Sequence, residues 1–182
     1  MPDDELAWRV LDRETAYSCP GFDIMCEEVE TPTGTRTDFD YLTEPPSVVI
    51  LPFTTDETLV VIDEWRQAVG RRNRGFPAGT AEPEDNDLVA TARRELEEET
   101  GYVAGDVEPL LVAEPANGLA AIEHHYFVAT GCTPAGNQSL DADETILVDT
   151  VDYAAFRAAA LTGECRDGRT LLGLLYYDAT CR

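Results

Sequence analysis

Arg94-Glu95-Leu96-Glu97-Glu98-Glu99-Thr100-Gly101-Tyr102 sets four glutamates within five residues, just before a glycine. Residues three and four apart share one face of a helix, so Glu95, Glu98 and Glu99 converge. Like charges at that spacing cost roughly 0.2–0.5 kcal/mol per pair in an isolated helix, and a bound divalent cation would offset the cost. Hard cations such as Mg2+ take oxygen ligands, usually a few carboxylates with phosphate oxygens completing the shell. The other side of the helix carries Val89, Ala92 and Leu96, a stripe suited to core packing. The helix is expected from about Asp87 to Thr100, with Asn86 as its N-cap and Gly101 just past its end. A solvated acidic face is the plain alternative for a Glu-rich run in a chain this acidic.

The acidity extends along the whole sequence. There are 36 acidic residues against 13 basic ones, every basic residue is Arg, and the formal net charge is −23. That balance argues against nucleic acid, whose phosphates need clustered Lys and Arg, and against an anionic membrane surface. It reads as adaptation to high salt, because at about 1 M salt the Debye length falls to ~3 Å and repulsion between surface carboxylates is largely screened. The length of 182 residues and 43% apolar content suit one domain with a real core. Met1-Pro2-Asp3-Asp4-Glu5 has neither a basic nor an apolar leader region, and no apolar run reaches the ~18 residues of a membrane span. The expectation is a soluble, cytoplasmic protein. The five cysteines include no CxxC pair and are expected to be reduced, mostly structural thiols. His124 and His125 are adjacent, so on a strand they face opposite ways and do not form a metal pair.

Residues 1–45 read as a β-rich arm: Phe22 to Val29 alternates, Thr31-Pro32-Thr33-Gly34-Thr35 turns, and Thr37 to Leu42 returns. Pro45-Pro46 marks the entry to a main domain, 46–182. Ser47 to Phe53 and Thr58 to Asp63 are two β-branched runs, joined by a hairpin turn at Thr54-Thr55-Asp56-Glu57. Further strands are expected near 107–114, 121–130 and 145–150, and helices at Asp152 to Leu161 and Thr170 to Tyr177. Strands mixed with three helices point to an α+β fold, an α/β/α sandwich around a mixed sheet.

With these residues in place, the chain resembles the Nudix hydrolase family, whose box reads G-x5-E-x7-R-E-U-x-E-E-x-G-U with U a bulky apolar residue. Arg94, Glu95, Leu96, Glu98, Glu99 and Gly101 match, and Tyr102 fills the last bulky slot. The first half departs, because fourteen residues separate Gly79 from Arg94, one more than the pattern has. Counting back from Arg94 puts Asn86 at the first Glu, whereas counting forward from Gly79 puts Asp85 there. Glu64-Trp65-Arg66-Gln67-Ala68-Val69-Gly70, then Phe76-Pro77-Ala78-Gly79, look like the segment before the box in the ADP-ribose pyrophosphatase subfamily, and the N-terminal arm is similar too.

The resemblance implies a Nudix fold and Mg2+-dependent (or Mn2+-dependent) hydrolysis of the pyrophosphate in a nucleoside diphosphate linked to another group, ADP-ribose first. It implies two to three metal ions held by Glu95, Glu98, Glu99 and the Ala78 carbonyl. Glu98, Glu99 and Arg94 would belong to the catalytic machinery, and Arg66 would contact the substrate's phosphates. An acidic residue on a late loop would position the attacking water; Asp141-Ala142-Asp143-Glu144 occupies that place, with Glu144 the first choice, then Asp143 and Asp141. The arm would be exchanged in a homodimer and help hold the adenosine half, Phe22 being a candidate contact. Pro115, in the turn Pro115-Ala116-Asn117-Gly118, would border the other half, although it stands short of the subfamily's Pro marker. Two rival readings remain: a nucleoside triphosphate or other nucleotide-sugar pyrophosphohydrolase, and a Nudix module that senses a nucleotide without cleaving it.

Overall fold

The computed structural model describes residues 4–82, 84–85, 87–142 and 144–182. In chain order the elements are β1 (Arg9–Cys19), β2 (Phe22–Glu30), β3 (Arg36–Thr43), β4 (Ser47–Thr54), β5 (Thr58–Arg66), β6 (Arg71–Gly75), β7 (Ala78–Thr80) and α1 (Leu88–Thr100). They continue with β8 (Tyr102–Val103), β9 (Asp106–Ala113), β10 (Ala120–Ala121), β11 (His124–Pro134), β12 (Ile146–Asp152), α2 (Tyr153–Leu161) and α3 (Gly168–Thr180). Two compact units result, Met1–Pro45 with Ala116–Ile122, and Pro46–Pro115 with Glu123–Arg182.

In the first unit β1, β2 and β3 form an antiparallel meander, and β10 adds to β3 in parallel. The eleven-residue β1 was not expected from the sequence. Its residues are exposed almost throughout, so it lacks the apolar alternation that marks a half-buried strand, and two register shifts against β2 break its period. It is held by its ladder and by cross-strand pairs such as Arg13 Nε to Glu27 Oε1 at 2.6 Å.

The second unit is a mixed sheet in the order β12-β5-β4-β11-β8, with β6 on β5, β7 on β4 and β9 on β11. The central pair, β4 and β11, is parallel. The run Ser47 to Phe53 is apolar without alternation because both faces of β4 are covered, and seven of its eight residues are buried. Val49, Leu51 and Phe53 face one core with Tyr153, Phe156 and Leu174 of α2 and α3. Val48 and Ile50 face the other, with Ala92 and Leu96 of α1. Each such side chain contributes roughly 1.5–3 kcal/mol on burial. The α/β/α layering expected from the sequence is therefore present, with α1 alone on one face.

All three helices begin at an aspartate: the side chains of Asp87, Asp152 and Asp167 accept from the backbone N–H of Ala90, Ala155 and Thr170. The N-cap of α1 is thus Asp87 and not Asn86, a residue outside the described part of the chain. Gly101 ends α1 with φ of 72°, as expected of a left-handed cap, and donates to Glu97 O at 2.7 Å. The 54–57 turn closes the β4–β5 hairpin, and β5 continues past Asp63 to end on Arg66. His124 is buried on β11, and His125, on the opposite side, lies 3.4 Å from Glu123. No described helix is long and apolar enough to cross a membrane, and all five cysteines are free.

Candidate active site

The acidic face of α1 is not solvated. Glu95 is 8% exposed and Glu99 only 3%, because their face of the helix leans on β7. Glu99 Oε2 accepts from Ala78 N at 2.9 Å. A Cβ at Gly79 would overlap the Glu95 carboxyl, so the close approach of β7 depends on glycine there. Burial pushes the Glu99 carboxyl up to about 8, opposed by the Ala78 amide and reinforced by the charges of Glu95, Glu144 and Glu64. Burial likewise pushes Glu95 up to about 7, opposed by Arg94. Glu98 sits at the rim, its side chain 41% exposed.

Arg94 binds these acids to the preceding loop. Its Nη1 lies 2.8 Å from Glu98 Oε2 and 2.9 Å from Glu95 Oε1, and its Nη2 donates to Thr80 O at 3.1 Å. Asp85 accepts from Nε and Nη2 together, and also from the Thr91 hydroxyl and the Glu82 amide. Those donors, led by Arg94, hold the Asp85 carboxyl well below the usual carboxylate range. The sequence left Asp85 and Asn86 open for this place; the side chain that meets Arg94 is Asp85.

Arg66, at the end of β5, pairs with Glu64 Oε2 at 2.7 Å. Glu64, Arg66, Asn73, Asp167 and Arg169 line one small cavity between β5, β6 and the start of α3. Burial, and then the nearby Arg169 guanidinium, hold Arg66 below its ordinary range. Sequence reading missed Arg169 and Asp167 because the third helix was started at Thr170; the Asp-then-Thr spacing of an N-cap was the available signal.

On the late loop, Asp141 N donates to Glu144 Oε2 at 2.9 Å and Glu144 N to Asp141 O at 3.1 Å, so the Glu144 carboxyl folds back on its own loop. Its charge is nonetheless felt by Glu95, Glu99 and Glu64. Asp143 lies outside the described residues. Pro115 opens the exposed turn 115–119. Phe22 belongs to the first unit, at the start of β2, where it lines a cavity with Cys19 and Thr43, its ring 6.2 Å from that of Tyr17.

Among the described residues no three acidic, His or Cys groups meet at one point, since Arg94 draws Glu95 and Glu98 and the Ala78 amide draws Glu99. The donor chemistry still fits a hard divalent cation. Two buried carboxylates are raised in pKa by desolvation, Glu95 against the pull of Arg94, and every candidate ligand offers oxygen. A carboxylate-bearing helix on a mixed sheet, backed by two helices, defines a metal-assisted hydrolase of the Nudix class.

The chain belongs to that family: the NUDIX domain model matches residues 43–168. It is 28% identical over 171 residues to a methanol dehydrogenase activator of Bacillus methanolicus, covering 92% of this chain and 91% of that one. It is 27% identical over 169 residues to an ADP-ribose pyrophosphatase of Bacillus subtilis (strain 168), again covering 92% and 91%. A crystal structure of an ADP compounds hydrolase shares the fold with a TM-score of 0.82 at 22% identity, covering 94% of this chain and 92% of that one. The protein is a Nudix pyrophosphohydrolase, a class that acts on nucleotide-type small molecules with a divalent metal such as Mg2+.

Proposed function

We propose that the protein hydrolyses the pyrophosphate of a nucleoside diphosphate linked to another moiety, ADP-ribose first, to AMP and ribose 5-phosphate. The observation that carries the reading is the buried carboxylate pair Glu95 and Glu99, held against Ala78-Gly79. The likeness to the ADP-ribose pyrophosphatase covers 169 residues, and so runs beyond residues 43–168 into the arm, which favours this substrate over nucleoside triphosphates.

Glu95, Glu98, Glu99 and the Ala78 carbonyl would hold the metal. Bound Mg2+, in two or three ions, neutralises phosphate charge and lowers the pKa of water. Arg66 offers a fixed positive charge to the diphosphate, which matters for a chain of net charge −23 approached by an anion. Glu144 takes the proton of the attacking water, with Asp143 and Asp141 as the other acids of that loop. Arg94 keeps Glu98 at the rim of the site. Phe22 would hold the adenosine half from the arm of a homodimer partner, and Pro115 would border the second half. Composition further supports a cytoplasmic enzyme working in molar salt.

The test is incubation with Mg2+ and a panel of ADP-ribose, NADH, diadenosine polyphosphates, GDP-mannose and dNTPs, with products identified by chromatography. AMP and ribose 5-phosphate from ADP-ribose is the expected result. Cleavage of dNTPs with ADP-ribose untouched would overturn the substrate, and binding without any cleavage would overturn the hydrolase.

A further inference from the structure

We propose that Gln138 is a positioning residue that sets the separation between the carboxylates of α1 and the loop carrying Glu144. The inference rests on the reading of Glu144 as the group that takes the water's proton.

The last carbonyls of a helix have no partner within it. In α1 three consecutive ones are taken up, and two of the donors come from a single loop. Gly101 N donates to Glu97 O at 2.7 Å, Ser139 N to Glu98 O at 2.9 Å, and Gln138 Nε2 to Glu99 O at 2.6 Å. The same Nε2 reaches Ile146 O, the first residue of β12, at 3.3 Å. Both protons of one carboxamide are thus spent on two elements. One anchors the helix that carries Glu98 and Glu99; the other anchors the strand that Glu144 precedes by two residues.

The loop between is therefore bonded at its start to the C-terminus of α1 and at its end to Gln138. Its start is fixed by Gln138 and by Ser139, and its end by the bond to Ile146. Ala135 N also donates to Gly101 O at 2.8 Å, and a Cβ on Gly101 would stand only 2.6 Å from Gly136 O, so the approach to the helix end is close. The Glu144 carboxylate accepts from Asp141 N on its own loop, so its distance from the α1 carboxylates follows where this anchorage holds the loop. Glutamate at 138 has no proton to donate when ionised, methionine has the length without donors, and asparagine is one methylene short of spanning both carbonyls.

The test is steady-state kinetics on ADP-ribose at saturating Mg2+, with thermal unfolding of each variant. Gln138→Met is expected to lower kcat about tenfold, as small misplacements of a catalytic group do, while KM moves less than about threefold. Gln138→Asn is expected to give an intermediate loss. In a Glu144→Gln background, Gln138→Met is expected to cost less than about twofold, because the group it positions is already gone. Wild-type kcat in both position-138 variants, whatever their melting temperatures, would overturn the proposal, as would an equal loss in both backgrounds. Wild-type kcat in Glu144→Gln would instead overturn the assignment of Glu144, and this inference with it.

Discussion

Asp85 and Arg94 face each other as a fork, with Nε to Oδ1 at 3.2 Å and Nη2 to Oδ2 at 3.0 Å. Through this pair the loop before α1 is tied to the helix, and through the other arm of Arg94 to Glu95 and Glu98. The extra residue between Gly79 and Arg94 is absorbed without losing the contact. Removing one partner of a charge-assisted pair costs on the order of 2 kcal/mol. Asp85→Ala is therefore expected to lower the unfolding free energy by about that amount and to reduce kcat, since Arg94 loses the carboxylate that orients it toward Glu98. Denaturant unfolding and ADP-ribose turnover measure the two effects; an unchanged midpoint would show that the fork is not a structural tie.

Glu98→Gln and Glu99→Gln are expected to lower turnover by two orders of magnitude or more with the fold intact. In Glu99→Gln the amide oxygen still accepts from Ala78 N, so the packing of α1 on β7 has no reason to change. Circular dichroism and kcat together decide the matter. Near-wild-type activity in both variants would sink the metal-site assignment.

Glu99 also makes a signed prediction about pH. Its carboxyl is raised from 4.5 when unfolded to about 8 when folded, with burial the leading cause. The folded protein therefore binds more protons than the unfolded one between those values, and stability falls as pH rises through that window. In EDTA the melting temperature is expected to fall from pH 6 to pH 8.5, with a shallower slope in Glu99→Gln. Mg2+ held at Glu99 would favour its ionised form, so stabilisation by Mg2+ is expected to grow over the same range. A Mg2+-induced shift that is equal at both pH values would contradict this.

Much of this architecture was readable from residue order because local rules and tertiary packing agree. Ser47 to Phe53 announced a strand buried on both faces, and Gly101 announced the end of α1. Helix spacing alone put Glu95, Glu98 and Glu99 on one stretch of α1, but the convergence it implied is not met among the described residues, because Arg94 draws Glu95 and Glu98 and the Ala78 amide draws Glu99. Their burial did not follow, because it depends on β7 passing over the helix at Gly79, a tertiary contact that the irregular segment between the two elements does not announce. The strand β1 was hidden for a related reason: its order comes from pairing with β2, and its side chains carry almost no burial signal. Gln138 gave no sign either, since a lone polar residue in a loop has no period, and its two partners, Glu99 and Ile146, lie on opposite sides of it in the chain.

Salt is expected to stabilise the protein. Screening weakens attractive and repulsive pairs alike, so the sign depends on which are more numerous. With 36 acidic side chains and 13 basic ones, repulsion dominates. Lowering the Debye length from ~8 Å at 0.15 M to ~3 Å at 1 M removes most of it. Melting temperature and kcat are both expected to rise between 0.15 and about 2 M KCl, and a flat or falling melting temperature would exclude the high-salt reading.

Gly79 offers a sharper probe of the carboxylate cluster than any charge change, because it alters shape alone. Its backbone is not in the left-handed region, so alanine is conformationally acceptable, and the penalty comes only from the new methyl overlapping the Glu95 carboxyl. Glu95 is buried between β7 and the Arg94 guanidinium, so it has to turn away and loosen its 2.9 Å contact with Arg94. Overpacking of this kind costs roughly 1–3 kcal/mol. Gly79→Ala is therefore expected to lower stability by that order and to raise the Mg2+ concentration for half-maximal activity about tenfold or more. Gly168→Ala, at the first position of α3 where a Cβ meets nothing within 4 Å, is expected to leave both unchanged. If Gly79→Ala lost stability while its Mg2+ dependence stayed that of the wild type, Glu95 would be a packing residue and the metal would rest on Glu98 and Glu99 without it.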